Sequence, residues 1–170
     1  NELDLLEIRL NLLDPYVDYF IVPYTVYYLL PFAFLCFSCC DMLHVFYMGL
    51  IWNNLISYVF FVFLPISCEN LQQSEISPGF LTDILNMVRS ADGIFCIFPS
   101  LHVSTAMLWF FIVPHVFKNR YIILLAQCFM ISIVLSTMLT KQHFILDVLT
   151  GIIFATCIHF GYVSRYLNKQ

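Results

Sequence analysis

His143 and Asp147 are four residues apart, so a helix would carry both on one face. They close the stretch Ser136 to Asp147, which lies where one apolar segment ends and another begins. A histidine, a carboxylate and the neighbouring Lys141 are costly to keep at the edge of a hydrocarbon layer, and such residues mark functional sites. A second polar island, Phe98-Pro99-Ser100-Leu101-His102, opens the preceding apolar segment. The two islands are expected to meet and form one phosphate-handling site.

Breaking a phosphate ester by a covalent route needs a nucleophile for phosphorus and an acid for the leaving alkoxide. It also needs positive charge and N–H donors for the phosphoryl oxygens. Imidazole can fill either of the first two roles, because it titrates near neutrality. The Asp147 carboxylate can reach Nδ1 of His143 and leave Nε2 free to attack. His102, on a different segment at the same depth, suits the acid. Ser100 stands where a helix begins, so its hydroxyl and the first-turn N–H groups would cradle a phosphate. Lys141 adds positive charge. Taken singly, each of these reads as an interfacial polar residue whose charged end snorkels to water. Their convergence on one side favours chemistry.

The elements that must position them are membrane helices. The chain of 170 residues is 61% hydrophobic and 11% charged, with a positive mean hydropathy. A soluble domain carries about 25% charged residues. The length allows one domain of packed spans. The net charge of −4 and the lack of a basic patch argue against nucleic-acid binding. Most of the seven cysteines lie in apolar runs, where cysteine acts as a small hydrophobe. Cys36-x-x-Cys39 has no second pair to complete a zinc site. Cys68 and Cys96 flank one long loop and could form a disulfide if that loop is extracytoplasmic. No signal-peptide pattern is present and the chain starts at Asn1, so a natural N-terminus could precede it.

Residues 1–20 read as an amphipathic or interfacial leader, with Leu3, Leu6, Leu10 and Leu13 at helical spacing; a frayed leader is the alternative. Five apolar segments follow within a single transmembrane domain, 21–163: Ile21 to Cys40, His44 to Ile66, Leu101 to Phe117, Tyr121 to Leu139 and Phe144 to Val163. The expected fold is therefore an all-α, membrane-spanning helical bundle. Pro23 and Pro31 should kink the first span. Asn53 and Asn54 should bond a neighbouring helix, and Gly151 with Ala155 should form a close-packing face. A helix over Phe80 to Arg89 is expected inside the polar loop 67–98.

Lys118, Arg120, Arg165 and Lys169 fall on one side, which the distribution of basic residues makes cytoplasmic, with residues 164–170 as a cytoplasmic tail. The loop 67–98, His102 and His143 then face the exterior or a lumen. Tyr16, Tyr19, Tyr24, Tyr27 and Tyr28 would form an interfacial belt there. His44, His115 and His159 fall at or near the opposite ends and read as interfacial or packing residues.

Pro99-Ser100-Leu101-His102 resembles the second motif, Pro-Ser-x-His, of the type 2 phosphatidic acid phosphatase superfamily. Ser136-Thr137, five residues, His143, three residues and Asp147 match the spacing of its third motif, Ser-Arg-x5-His-x3-Asp. With the flanking spans the resemblance covers Ile21 to Val163. It implies a bundle of six helices, no metal or other cofactor, and a lipid phosphate as substrate. It implies that His143 is the nucleophile that becomes phosphorylated, Asp147 its partner and His102 the acid. The run Thr-Lys-Gln-His-Phe looks most like the branch containing inositol phosphorylceramide synthase. Three departures stand out. Thr137 occupies the place of the motif arginine. The first motif is not recognisable, Ser77-Pro78 standing where its Arg-Pro would be. Five spans are counted where the family has six, which a helix before Asn1 would explain. Lys141 could supply the missing charge as a point charge, without an arginine's fork. Arg89, in the long loop, could supply it too; a solvated loop arginine is the alternative. Substrate contacts are therefore expected from Ser100, Lys141, Ser136 and Arg89.

The expected function is a metal-independent, membrane-embedded lipid phosphate phosphatase working through a phosphohistidine. A phosphotransferase with an alcohol acceptor would use the same site. A catalytically degenerate protein that only binds lipid phosphates is the reading from a different class. A transporter lacks the paired broken helices it would need.

Overall fold

The computed structural model describes residues 18–37, 40–64, 79–92 and 98–167. The described residues are all helical, without strands. The leader before residue 18, the Cys39 of the Cys-x-x-Cys pair, Cys68, Cys96, Ser77-Pro78 and the end of the tail lie outside them.

The first segment is broken where its prolines require. Helix α1 (Ile21–Val26) passes into a 3-10 turn at Tyr27–Leu29 before α2 (Leu30–Phe37). Pro31 has no N–H to give the Tyr27 carbonyl, and Leu30 N–H bonds that carbonyl instead. The Pro31 carbonyl accepts the Tyr47 hydroxyl at 2.8 Å, which ties the broken segment to α3. Helix α3 (Cys40–Phe63) follows, then α4 (Phe80–Asp92), α5 (Leu101–Val116), α6 (Arg120–Leu139) and α7 (Ile145–Ile158). A π-helical turn, His159–Val163, joins α7 to α8 (Ser164–Leu167). Among the described residues, three helices are long and apolar enough to cross a membrane: Cys40–Phe63, Arg120–Leu139 and Ile145–Leu167. Ile21–Cys36 and Leu101–Val116 are shorter apolar helices.

Helix α5 is the centre of the bundle. It packs on α3, α6 and α7, and all of Val103 to Trp109 is buried. Its neighbours bury one face each and turn residues such as Trp52, Leu55, Tyr58, Leu124 and Leu125 outward. In lipid no hydrophobic force gathers helices, so close packing and hydrogen bonds must. Gly151 of α7 supplies the closest packing. A Cβ there would lie 2.9 Å from the Ser100 carbonyl oxygen and 3.1 Å from Val103 Cβ. Asn53 of α3 supplies a bond, donating to Ser104 Oγ at 2.9 Å, whereas Asn54 turns back to its own Leu50 carbonyl. Gln127 of α6 donates to the Phe110 carbonyl at 3.2 Å, the group that Pro114 leaves without its helical donor.

Of the three histidines outside the islands, only His159 is packed between helices, and His44 and His115 are exposed. His159 stacks on Phe111 at 4.7 Å between ring centroids, His44 lies against Tyr166, and His115 is exposed.

Candidate active site

The turn between α6 and α7 is built by its own hydrogen bonds. Lys141 sits in the left-handed region with φ of 54°. Its N–H bonds the Met138 carbonyl at 2.9 Å, and Gln142 N–H bonds the Thr137 carbonyl at 3.0 Å. This pair is a Schellman cap, which stops α6 and reverses the chain. His143 N–H also bonds the Thr137 carbonyl, at 3.1 Å, which ties the imidazole-bearing residue to the helix end. Two residues later, at Ile145, the chain starts α7. Asp147, in its first turn, accepts from Phe144 N–H at 2.9 Å and so holds the helix start. The same Oδ2 lies 3.5 Å from Nδ1 of His143. That is a close contact still longer than a made hydrogen bond, as in many catalytic pairs before substrate closes the site.

The other island arrives from α5. Ser100 caps that helix, its hydroxyl accepting from Val103 N–H at 3.3 Å. Ser100 N–H bonds the Asp147 carbonyl at 3.3 Å, so the starts of α5 and α7 are joined directly. The imidazoles of His102 and His143 come within 5.8 Å between ring centroids, both nearly buried.

Arg89 reaches the site from α4. It is only 9% exposed, and its Nη2 donates to the Thr140 carbonyl at 3.3 Å. Gln142 Nε2 donates to the same carbonyl at 2.9 Å. The arginine is thus held against the turn that carries His143, which a solvated loop residue would not be. Lys141 is half-buried in that turn. Ser136 is fully buried, and its hydroxyl donates to the Ile133 carbonyl of its own helix at 2.6 Å. Thr137, at the place of the motif arginine, does the same with Val134 at 2.8 Å.

The tyrosines correct the expectation of a belt. Tyr19 is 79% exposed, as a belt residue would be, but Tyr24 is 1% exposed. Tyr24 stacks on the His102 ring at 4.6 Å and Tyr27 lies over it at 4.2 Å. The Tyr28 hydroxyl is 3.2 Å from His102 Nε2. The spacing Tyr-x-x-Tyr-Tyr carried a signal of this, since residues three and four apart share a helix face. Gln142 and the Thr140 carbonyl offered none. Among the described residues, no three His, Cys, Asp or Glu side chains converge as a metal site needs.

The model of the PAP2 superfamily matches residues 39–170, which take in both islands and every helix from α3 onward. The chain belongs to the PAP2 superfamily. No curated protein and no solved structure matches it. Members of the PAP2 superfamily are phosphatases and phosphotransferases, so membership supports an enzyme of this type and implies a lipid phosphate substrate. The apolar helices and the PAP2 family together make it a membrane protein.

Proposed function

We propose that the chain hydrolyses a phosphomonoester or diphosphate of a lipid through a phosphohistidine on His143. The observation that carries this is the meeting of His102, His143 and Asp147 from two helices and a turn, with the rings 5.8 Å apart and the carboxylate 3.5 Å from Nδ1. Asp147 holds the proton on Nδ1 and stabilises the charge that develops, while Nε2 attacks phosphorus. His102 is the source of the proton for the leaving oxygen, then recovers one from the water that releases phosphate. Ser100 and the first N–H groups of α5 receive phosphoryl oxygens.

Arg89 takes over from the arginine that Thr137 replaces. Its charge reaches the same turn from a different element, and guanidinium suits phosphate better than the Lys141 ammonium does. Lys141 contributes from the turn itself. The site lies at one end of a bundle of five spans, with Ile21–Cys36 and Leu101–Val116 as the first and third, and faces the exterior or a lumen.

Phosphate release from a panel of lipid phosphates, in detergent with EDTA, tests this. The purified protein is expected to release phosphate, and His143→Ala is expected to abolish release. Activity that depends on added metal, or that survives in His143→Ala, would refute the mechanism. The resemblance of the Thr-Lys-Gln-His-Phe run keeps transfer to an alcohol as the second reading. It predicts a new phosphodiester product when an acceptor lipid is added.

A further inference from the structure

His102 is enclosed. Tyr24 and Tyr27 cover its ring at 4.6 and 4.2 Å, and the Tyr28 hydroxyl stands 3.2 Å from Nε2. Tyr28 meets the imidazole edge-on, at 86° between planes, so the phenol oxygen and not the ring face addresses the nitrogen. His102 is 9% exposed and Tyr28 is 39% exposed. Of the two residues, Tyr28 is the more exposed. Tyr27 does not share this role. Its hydroxyl lies 3.5 Å from both the Leu101 carbonyl and Thr105 Oγ1. An acid that gives its Nε2 proton straight to the substrate would first have to part from Tyr28.

We propose that Tyr28 is the catalytic residue that delivers the proton, relaying it from His102 to the leaving oxygen. The proposal rests on the phosphatase reading above. In the first step the His143 Nε2 lone pair forms the N–P bond and the P–O bond to the alkoxide breaks. The Tyr28 hydroxyl passes its proton to that alkoxide oxygen. His102, starting as imidazolium, passes its Nε2 proton to the phenol oxygen. The alcohol leaves neutral, Tyr28 is again a phenol, and His102 is a neutral imidazole. In the second step water attacks phosphorus and the N–P bond breaks. The proton of the attacking water travels back through Tyr28 to His102. Protons balance over the two steps and no other reactant is needed. A phenol suits the place because it can donate and accept at one oxygen.

The test compares two phosphomonoesters that differ in leaving group. An alkyl phosphate needs an acid, because an alkoxide leaves badly; p-nitrophenyl phosphate does not, because a nitrophenolate leaves well. Tyr28→Phe is expected to lower kcat/KM for a long-chain alkyl phosphate by about 10²-fold, the usual worth of a general acid, and to leave the aryl ester within about 3-fold. His102→Ala should show the same selective loss, and Tyr19→Phe no loss. A structural role would slow both substrates alike, and that result, or no loss on either, would overturn the relay. Should Tyr28→Phe fail to fold, 3-fluorotyrosine at position 28 keeps the shape and makes the hydroxyl more acidic. It should change the alkyl rate alone; an unchanged alkyl rate would overturn the relay. A wild-type protein that turns over neither ester would overturn the phosphatase reading and the relay together. A wild-type protein that turns over both, with Tyr28→Phe slowing them equally, would overturn the relay alone.

Discussion

Asp147 does two jobs with one carboxylate. It holds the start of α7 through Phe144 N–H at 2.9 Å and faces His143 Nδ1 at 3.5 Å. The jobs can be separated. Asn at this position keeps an oxygen for the N–H, so Asp147→Asn should change stability by less than about 1 kcal/mol. It cannot support an imidazolium, so kcat should fall by about 10²-fold or more. Thermal melting in detergent beside phosphate release checks both. Lys141 allows a similar separation. A left-handed backbone costs an L-residue roughly 1–2 kcal/mol, which glycine escapes. Lys141→Gly should therefore raise the melting temperature while raising KM for a lipid phosphate; an unchanged KM would remove Lys141 from the substrate contacts. At this scale the sequence was informative where spacing alone decides. His143 and Asp147 were paired by their interval and His102 by its motif. Arg89 could be named only as a candidate, because nothing in a linear sequence says that α4 folds back onto Thr140. Tyr24 and Tyr27 were misread because amphipathic rings at a membrane edge are usually a belt, and only a tertiary contact distinguishes a belt from a cage.

The elements hold the site by touching at a few points. Helices α5 and α7 meet where Gly151, four residues from Asp147, lies under the carbonyl of Ser100, two residues from His102. In Gly151→Ala the new Cβ meets a backbone oxygen at 2.9 Å, which cannot step aside as a side chain can. The helices must part, and a displacement of about 1 Å can cost 10²-fold in rate. Gly161→Ala, with nothing within 4 Å of its Cβ, should be silent in the same assay. Helices α3 and α5 meet through Asn53. Removing that side chain should cost about 1 kcal/mol, the usual worth of a hydrogen bond between membrane helices, whereas Asn54→Ala should cost less. Denaturant titration in mixed micelles would measure the difference. The apolar runs and the Gly151–Ala155 face were legible in the sequence, since composition and small residues dictate them. The 3-10 break at Tyr27–Leu29 was legible only as a kink near proline, because which carbonyl finds a substitute donor is settled locally.

For the whole molecule, one end of the bundle collects chemistry and the other collects charge. The starts of α5 and α7 and the Arg89-bearing α4 share the first end, while Lys118 and Arg120, both exposed, join α5 to α6 at the other. The distribution of basic residues predicts that the second end is cytoplasmic. In a background without native cysteines, a membrane-impermeant thiol reagent should label Lys118→Cys only after the membrane is opened. It should label Gly79→Cys from outside in intact cells. The reverse pattern would place the site in the cytoplasm. An all-helical membrane fold was legible from hydropathy and charge deficit. The burial of α5 on three sides was not, because a 16-residue apolar run looks the same at a bundle's centre as at its edge.

The most direct test is to trap the intermediate. The protein is mixed with a 32P-labelled lipid phosphate, quenched in denaturant at high pH, and mapped by mass spectrometry. The account predicts a base-stable, acid-labile phosphoramidate on His143, absent from His143→Ala. Turnover with no such label, together with full activity in His143→Ala, would contradict it.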